Sequence, residues 1–116
     1  MFDFEKLIVY TKAKEFNSKI RKFIKEGSLD RTTNYQLRRA SFSIVLNIAE
    51  STGRFTNPDK RNFFVVSRSS LIECVSILDV LHDEKEISEV EFRKFYNEAD
   101  ELSRILFAMI KNLSKK

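Results

Sequence analysis

The 116 residues are enough for one domain with a hydrophobic core, and two glycines and one proline leave few sites for tight turns. A single cysteine excludes an internal disulfide framework, and no apolar run approaches the roughly 20 residues that a membrane span requires. Acidic residues near the N-terminus are unlike the basic start of a signal peptide, so we expect a cytoplasmic protein with no membrane partner. We therefore predict one all-α domain over residues 1–116.

The net charge of +4 is unevenly distributed along the chain. Residues 16–72 contain eleven Lys and Arg against four acidic residues, whereas residues 73–105 contain four against ten. This distribution is typical of a nucleic-acid-binding face. It also fits unlike surfaces that attract each other in two subunits, or two solvated helical hairpins. The charge pattern leaves these three interpretations open.

The first helix is predicted over residues 4–26, with Asp3 as its N-cap. Apolar residues recur at helical spacing along one face of this segment: Val9, Ala13, Phe16, Ile20 and Phe23/Ile24. Gly27 is expected to end the helix in a left-handed conformation. The short connection that follows favours an antiparallel second helix.

The second helix is predicted over residues 34–51, because Thr33 to Gln36 has the form of a capping box. One of its faces carries Leu37, Ala40, Ser41, Ile44 and Ile48, and a second apolar face carries Tyr35, Phe42, Leu46 and Ala49. A helix that is apolar on two sides has to bury both. We expect one face to pack in the bundle and the other against a second subunit.

The third and fourth helices are predicted over residues 58–83 and 89–113. Asn57-Pro58 joins a capping side chain to a proline at the first helical position, and Ser88 to Glu91 forms another capping box. The predicted core face of the third helix is Phe63, Ser67, Ser70, Leu71, Cys74, Ile77/Leu78 and Leu81. Four helices with short connections predict an antiparallel up-down-up-down four-helix bundle.

Residues that carry catalysis are scarce. His82 is the single histidine and lacks a second His or a Cys at ligand spacing, so no metal site is predicted. Cys74 lies on the predicted core face without an activating base. One class of helical-bundle ribonucleases has an Arg and a His separated by four residues, but the six-residue window that ends at His82 begins at Ile77. We expect no catalysis and no cofactor, and a ribonuclease is only a remote alternative.

A polar stripe of Arg39, Ser43, Asn47 and Glu50 separates the two apolar faces of the second helix. It is either a structural network, in which Glu50 or Glu73 pairs with a buried arginine, or a groove in which Arg38 and Arg39 bind phosphates. The candidates for a polar network and subunit interface are Arg38, Arg39, Ser43, Asn47, Glu50, Glu73, Tyr35, Phe42 and Leu46. The candidates for nucleic-acid binding are Lys19, Arg21, Lys22, Lys25, Arg31, Arg54, Lys60 and Arg61.

Two segments of the chain are similar to a known family. The run Gln36-Leu37-Arg38-Arg39-Ala40, with Ser43-Ile44, Asn47-Ile48-Ala49-Glu50 and Gly53-Arg54, is followed by Arg68-Ser69-Ser70-Leu71-Ile72-Glu73. In this order the segments resemble the small four-helix bundle proteins encoded by intervening sequences in bacterial 23S ribosomal RNA genes. Ser51 and Ser69 stand where that family often has glycine, which implies a different local packing at these two positions.

The resemblance implies a ring-like homo-oligomer, usually a pentamer, with RNA or DNA as a partner. It also implies a relationship to the accessory bundle proteins of diversity-generating retroelements, and thus a reverse transcriptase as a possible partner. We expect a non-enzymatic oligomeric bundle that binds nucleic acid. The alternative is a protein-interaction scaffold that does not.

Overall fold

The computed structural model describes residues 1–115, and nearly all of this chain is helical. A short 3-10 turn, Asp3–Lys6, precedes four helices: α1, Ile8–Glu26; α2, Arg31–Ser51; α3, Asn57–Asp83; and α4, Glu89–Leu113. No β-strand occurs in the described residues, which confirms the all-α class. Within the same residues, no helix combines the length and the hydropathy needed to span a membrane.

The start of α1 differs from its prediction. Asp3 lies in the 3-10 turn, Leu7 is extended with φ −85° and ψ 125°, and α1 begins only at Ile8. The Phe4 ring lies 4.8 Å from the Tyr10 ring, and Leu7 packs against the core. Because of these apolar contacts, the first residues fold back on α1 instead of adding a turn to that helix. Tertiary packing thus overrides the capping signal.

The caps of α2 and α3 lie one to three residues before their predicted positions. The Asp30 carboxylate accepts hydrogen bonds from the backbone N–H of Thr33 at 2.8 Å and from the Thr33 hydroxyl at 2.7 Å. Thr33 is therefore a donor to the cap and not the cap itself. Thr56 caps α3 and accepts from the Asp59 N–H at 3.3 Å. The fourth helix has its predicted bounds, with Ser88 as its N-cap.

A left-handed residue follows α3, and not α1 as predicted. Gly27 has φ −96° and ψ −175°, which is extended backbone, so the prediction of a left-handed Gly27 is wrong. Lys85, just after α3, has φ 62°. The left-handed conformation is therefore adopted by a residue with a side chain, for which it is costly.

The core is formed by one face of each helix. From α2 it takes Leu37, Ala40, Ser41, Ile44 and Ile48, all fully buried, on the face that the periodicity predicts. On α3 the buried phenylalanine is Phe64, and the predicted Phe63 is only half-buried. Each helix contacts the next one along the chain, and α1 also contacts α4. Two edge-on ring contacts of Phe95, with Phe16 and Phe23, help to join α4 to α1.

Candidate nucleic-acid interface

A groove of 540 Å³ lies between α1 and α2. Its walls are formed by Ser18, Arg21, Lys22, Ile24, Lys25 and Arg38. The first five lie within two turns of α1, where residues three and four apart share a face. One face of α1 and a single arginine of α2 thus bring four cationic side chains to one groove.

Arg21 is held in place by the neighbouring helix. Its guanidinium carbon lies 5.0 Å from the centroid of the Phe42 ring, which is a cation–π contact between α1 and α2. The Arg21 Nε is buried and has no hydrogen-bond partner within residues 1–115. A buried donor without an acceptor is costly, and the contact with the Phe42 ring is what holds this guanidinium in place.

The cations of the groove are not neutralised by the protein's own acids. In the described part of the chain, none of Arg21, Lys22 and Lys25 forms a salt bridge, and neither does Arg38. No carboxylate is among the residues that line the groove. Four positive charges therefore face the same volume, and their field attracts an anionic partner.

The remaining predicted cations do not all reach this groove. Lys19 lies on the other side of α1, where its ammonium group donates to Glu98 of α4 at 2.5 Å, and this hydrogen bond raises the pKa of Lys19. Arg31 is exposed at the first position of α2, a short connection away from Lys25. The set predicted from the sequence is thus divided among different surfaces.

Arg54, Lys60 and Arg61 lie at the opposite end of α2. The 21 residues of that helix separate them from Arg31 by about 30 Å. Arg54 lies 3.8 Å from Glu50 and is stacked over Phe63, and Arg61 Nε donates to the Ser114 hydroxyl at 2.7 Å. These contacts hold Arg54 and Arg61 at this end of the bundle, so the two arginines form no continuous surface with the groove.

The polar stripe of α2 connects this helix to α3. Arg39 donates to both carboxylate oxygens of Glu73, at 3.0 and 3.3 Å, and Ser43 and Ser70 hydroxyls are 2.9 Å apart. Asn47 Nδ2 donates to the Ser43 carbonyl at 2.8 Å. Glu73, not Glu50, is therefore the partner of Arg39.

The ion pair of Arg39 is not buried, unlike the pair that one of the two interpretations of the stripe predicted. The Arg39 side chain is 50% exposed and that of Glu73 is 38% exposed. Such a surface pair stabilises a fold by about 1 kcal/mol at most. Arg38 is separated from this network and lines the groove, although the sequence predicted that Arg38 and Arg39 act together.

The second apolar face of α2 is largely exposed on the single chain. Tyr35 is 62% exposed, Phe42 42% and Leu46 49%, and Ala49 is half-buried. Phe42 is partly covered by Arg21. The face that the sequence assigns to a second subunit is thus adjacent to the basic groove.

The side chains of Cys74 and His82 are engaged in contacts within the fold. Cys74 is fully buried, and burial raises the pKa of its thiol to about 12. His82 stacks on Phe92 with ring centroids 4.2 Å apart, and its Nε2 is hydrogen-bonded to Glu89. Ligand atoms of Asp79, His82 and Asp83 lie within 4.8 Å of one another. The cluster contains neither a second His nor a Cys, so the lack of those residues near His82 does not exclude it, whereas the D-x-x-H-D spacing indicates it.

The fold and the groove define a small helical-bundle protein with a cationic groove on its surface. Residues 5–108 match the family of the 23S rRNA-intervening sequence protein, and the chain belongs to this family. A crystal structure of a protein of unknown function from the S23 ribosomal protein family of Bacteroides thetaiotaomicron has the same fold. Its TM-score is 0.84 at 23% identity, over 90% of this chain and 99% of the other. No curated protein sequence matches this chain significantly.

Proposed function

We propose that the protein is a non-enzymatic, self-associating bundle of the cytoplasm that binds nucleic acid through the α1/α2 groove. The observation that carries the proposal is the set of four cations around the groove, none of which has a salt-bridge partner within residues 1–115. The family name refers to 23S rRNA, which supports RNA as the first ligand to test.

The groove is suited to the phosphate backbone and not to the base sequence. Lys22 and Lys25 are flexible point charges, and Arg21 and Arg38 offer planar donor groups that match phosphate oxygens. Contacts of this kind position a nucleic acid but carry no sequence information. We therefore expect binding that depends strongly on salt and weakly on sequence.

Assembly is the second part of the proposal. Sequential helix contacts, the α1–α4 contact and the short connections support an up-down-up-down bundle, and the exposed face of α2 supports a homo-oligomer. The family resemblance supports a ring, most simply a pentamer. Several grooves on one particle strengthen weak contacts with a single nucleic-acid chain by raising the effective concentration.

A binding titration tests the nucleic-acid part. Fluorescence anisotropy of labelled single-stranded and double-stranded RNA, repeated with DNA, gives the affinity over a series of salt concentrations. The groove variant is Lys22→Gln/Lys25→Gln, and the matched control is Lys94→Gln/Lys111→Gln, which removes two exposed lysines of α4. The slope of log affinity against log salt is negative. We expect its magnitude to decrease by about 0.7–0.9 for each groove lysine removed, and to stay unchanged in the control.

Two results would reject nucleic-acid binding through this groove. One is the absence of any binding at low salt by a protein that is still assembled, and the other is an equal loss of affinity in both double variants. The same RNA serves to test the ribonuclease alternative. We expect intact RNA after incubation, and cleavage that His82→Ala abolishes would contradict the non-enzymatic proposal.

A partner protein is tested separately. If a reverse transcriptase is still captured after the sample has been treated with nuclease, the scaffold alternative is supported. Such a result would show that nucleic acid does not bridge the two proteins.

A further inference from the structure

A second groove, of 480 Å³, lies between α3 and α4. Its lining is mostly apolar or small: Leu71, Ile72, Val75, Ser76, Asp79, Phe92, Tyr96, Ala99, Asp100 and Ser103. Ile72 is 52% exposed and Tyr96 42% exposed, so the apolar walls are open to solvent. A groove of this kind between two helices is suited to the apolar face of a third helix.

The charge at the edges of this groove is negative. Asp79 has no salt-bridge partner in the described residues, and Asp100 is paired only with Arg104, at 3.1 Å within α4. Arg104 is 81% exposed and therefore screens Asp100 only weakly. A helix that enters the groove has to be apolar along its centre and positively charged at its sides.

The exposed face of α2 meets this requirement. Tyr35, Phe42 and Leu46 form an apolar ridge, called here the α2 ridge, along one side of the helix. Arg38 lies on one side of the ridge and Arg39 on the other, because they follow Tyr35 by three and by four residues, slightly less and slightly more than one helical turn. Arg38 has no salt-bridge partner within residues 1–115 and is able to meet a carboxylate.

The ridge and the groove also have similar lengths. Tyr35 to Leu46 covers about 17 Å of helix, and the groove residues of α4, Phe92 to Ser103, cover about 17 Å as well. We propose that the α2 ridge of one copy packs into the α3/α4 groove of a second copy, with Arg38 near Asp79. This proposal rests on the self-association part of the proposed function, and it engages Arg38, one of the four cations that line the α1/α2 groove.

The contact joins unlike surfaces, so it leaves a ridge and a groove unused at the two ends of a dimer. Further copies add in the same way, and a rotation between neighbours that returns to the first copy closes the chain of subunits into a ring. Lys22 and Lys25 belong to α1 and not to the ridge. Each subunit of the ring thus keeps these two lysines for an anionic ligand.

Two single substitutions separate the two halves of the contact. Leu46→Glu places a charge on the ridge and Ile72→Glu places one in the groove, at side chains that are 49% and 52% exposed and therefore tolerate a polar group. Val80→Glu is the matched control, since Val80 is also on α3 and 52% exposed but does not line the groove. Far-UV circular dichroism and urea unfolding establish that all three variants are folded.

Sedimentation velocity at micromolar concentration gives the result. We expect the wild-type chain and Val80→Glu to form the same oligomer, and each of the other variants alone to sediment as the 13.7 kDa monomer. An equimolar mixture of Leu46→Glu and Ile72→Glu keeps one intact ridge and one intact groove. The mixture is therefore expected to form a dimer of twice the monomer mass, and no larger species.

Three results would overturn the inference. An Ile72→Glu variant that assembles like the wild type would show that the groove is not used, and a mixture that stays monomeric would show that the ridge does not pair with the groove. A monomeric wild-type chain would reject self-association together with this contact. A failure of RNA binding in an assembled protein would leave the contact unaffected.

Discussion

Ser67 of α3 donates a hydrogen bond of 2.8 Å from its hydroxyl to the backbone carbonyl of Ile44 in α2, and both residues are fully buried. A serine is small enough for the two helix backbones to approach this closely. Its hydroxyl also donates to a backbone carbonyl, which an apolar side chain cannot do. The Ser43–Ser70 hydrogen bond lies beside it on the same pair of helices. The contact between α2 and α3 thus depends on small polar side chains as well as on apolar burial.

Substitutions of Ser67 should separate the two contributions. Ser67→Ala removes the hydrogen bond and leaves the Ile44 carbonyl its helical partner, so we expect a loss of about 1 kcal/mol in the free energy of unfolding. Ser67→Leu adds volume between two closely packed helices and should cost about 1–3 kcal/mol or more. Urea unfolding measures both, and the same changes at exposed Ser69 should stay within about 0.5 kcal/mol. A Ser67→Leu variant as stable as the wild type would contradict the close packing.

Lys85 offers a stabilising substitution. Its φ of 62° follows the end of α3, where its N–H donates to the His82 carbonyl at 3.1 Å and the Glu86 N–H donates to the Leu81 carbonyl at 2.8 Å. Glycine adopts this conformation without the steric cost of a Cβ, so Lys85→Gly should raise the free energy of unfolding by about 0.5–1 kcal/mol. Lys85→Ala removes the same charge but keeps the Cβ, and we expect it to be neutral. Equal effects of the two substitutions would show that charge, and not backbone conformation, is responsible.

The class of the fold and the inner faces of the helices were predictable because helical periodicity directly reports which side chains share a face. Leu37, Ile44 and Ile48 are buried as their spacing predicts. The helix starts were less predictable, since several residues before α2 have side chains that are able to cap. Asp30 and Thr33 both satisfy the local rule, and only the folded chain decides that Asp30 accepts and Thr33 donates.

The candidate site was predictable in composition but not in arrangement. Arg21, Lys22 and Lys25 share a face of α1, and the sequence alone shows this. That Arg38 joins them, while Lys19 pairs with Glu98, depends on how α1 packs against its two neighbours. Cations at opposite ends of α2, such as Arg31 and Arg54, have the same charge in the sequence but lie about 30 Å apart.

Cys74 should report the opening of the core. Burial, together with the nearby charge of Glu73, raises the pKa of its thiol to about 12, so at pH 8 only about one molecule in ten thousand carries the reactive thiolate. We expect no reaction of the native protein with a thiol reagent at this pH, and full reaction in urea, where the thiol regains a pKa of about 8.5. Rapid labelling of the native protein would contradict the burial of Cys74 in the assembled bundle.

Glu89 links the end of α3 to the first turn of α4, and its contribution should depend on pH. Its carboxylate accepts hydrogen bonds from His82 Nε2 and from Arg93 Nε, and the bond from His82 is the main cause that lowers the pKa of Glu89. A carboxyl whose pKa is lower in the folded chain stabilises the fold above its unfolded pKa, here about 4.3. This stabilisation is lost as the pH falls through the folded pKa, because the unfolded chain takes up the proton first.

We therefore expect Glu89→Gln to lower the urea midpoint at neutral pH and to approach the wild-type midpoint below about pH 4. The matched control is Glu91→Gln, which removes another exposed carboxylate from the first turn of α4 and leaves His82 with its partner. Because both substitutions weaken the favourable interaction with the helix N-terminus, their difference isolates the contact with His82 and Arg93. Urea unfolding at several pH values provides the comparison. Identical pH profiles for the two variants would show that Glu89 acts only through the helix terminus.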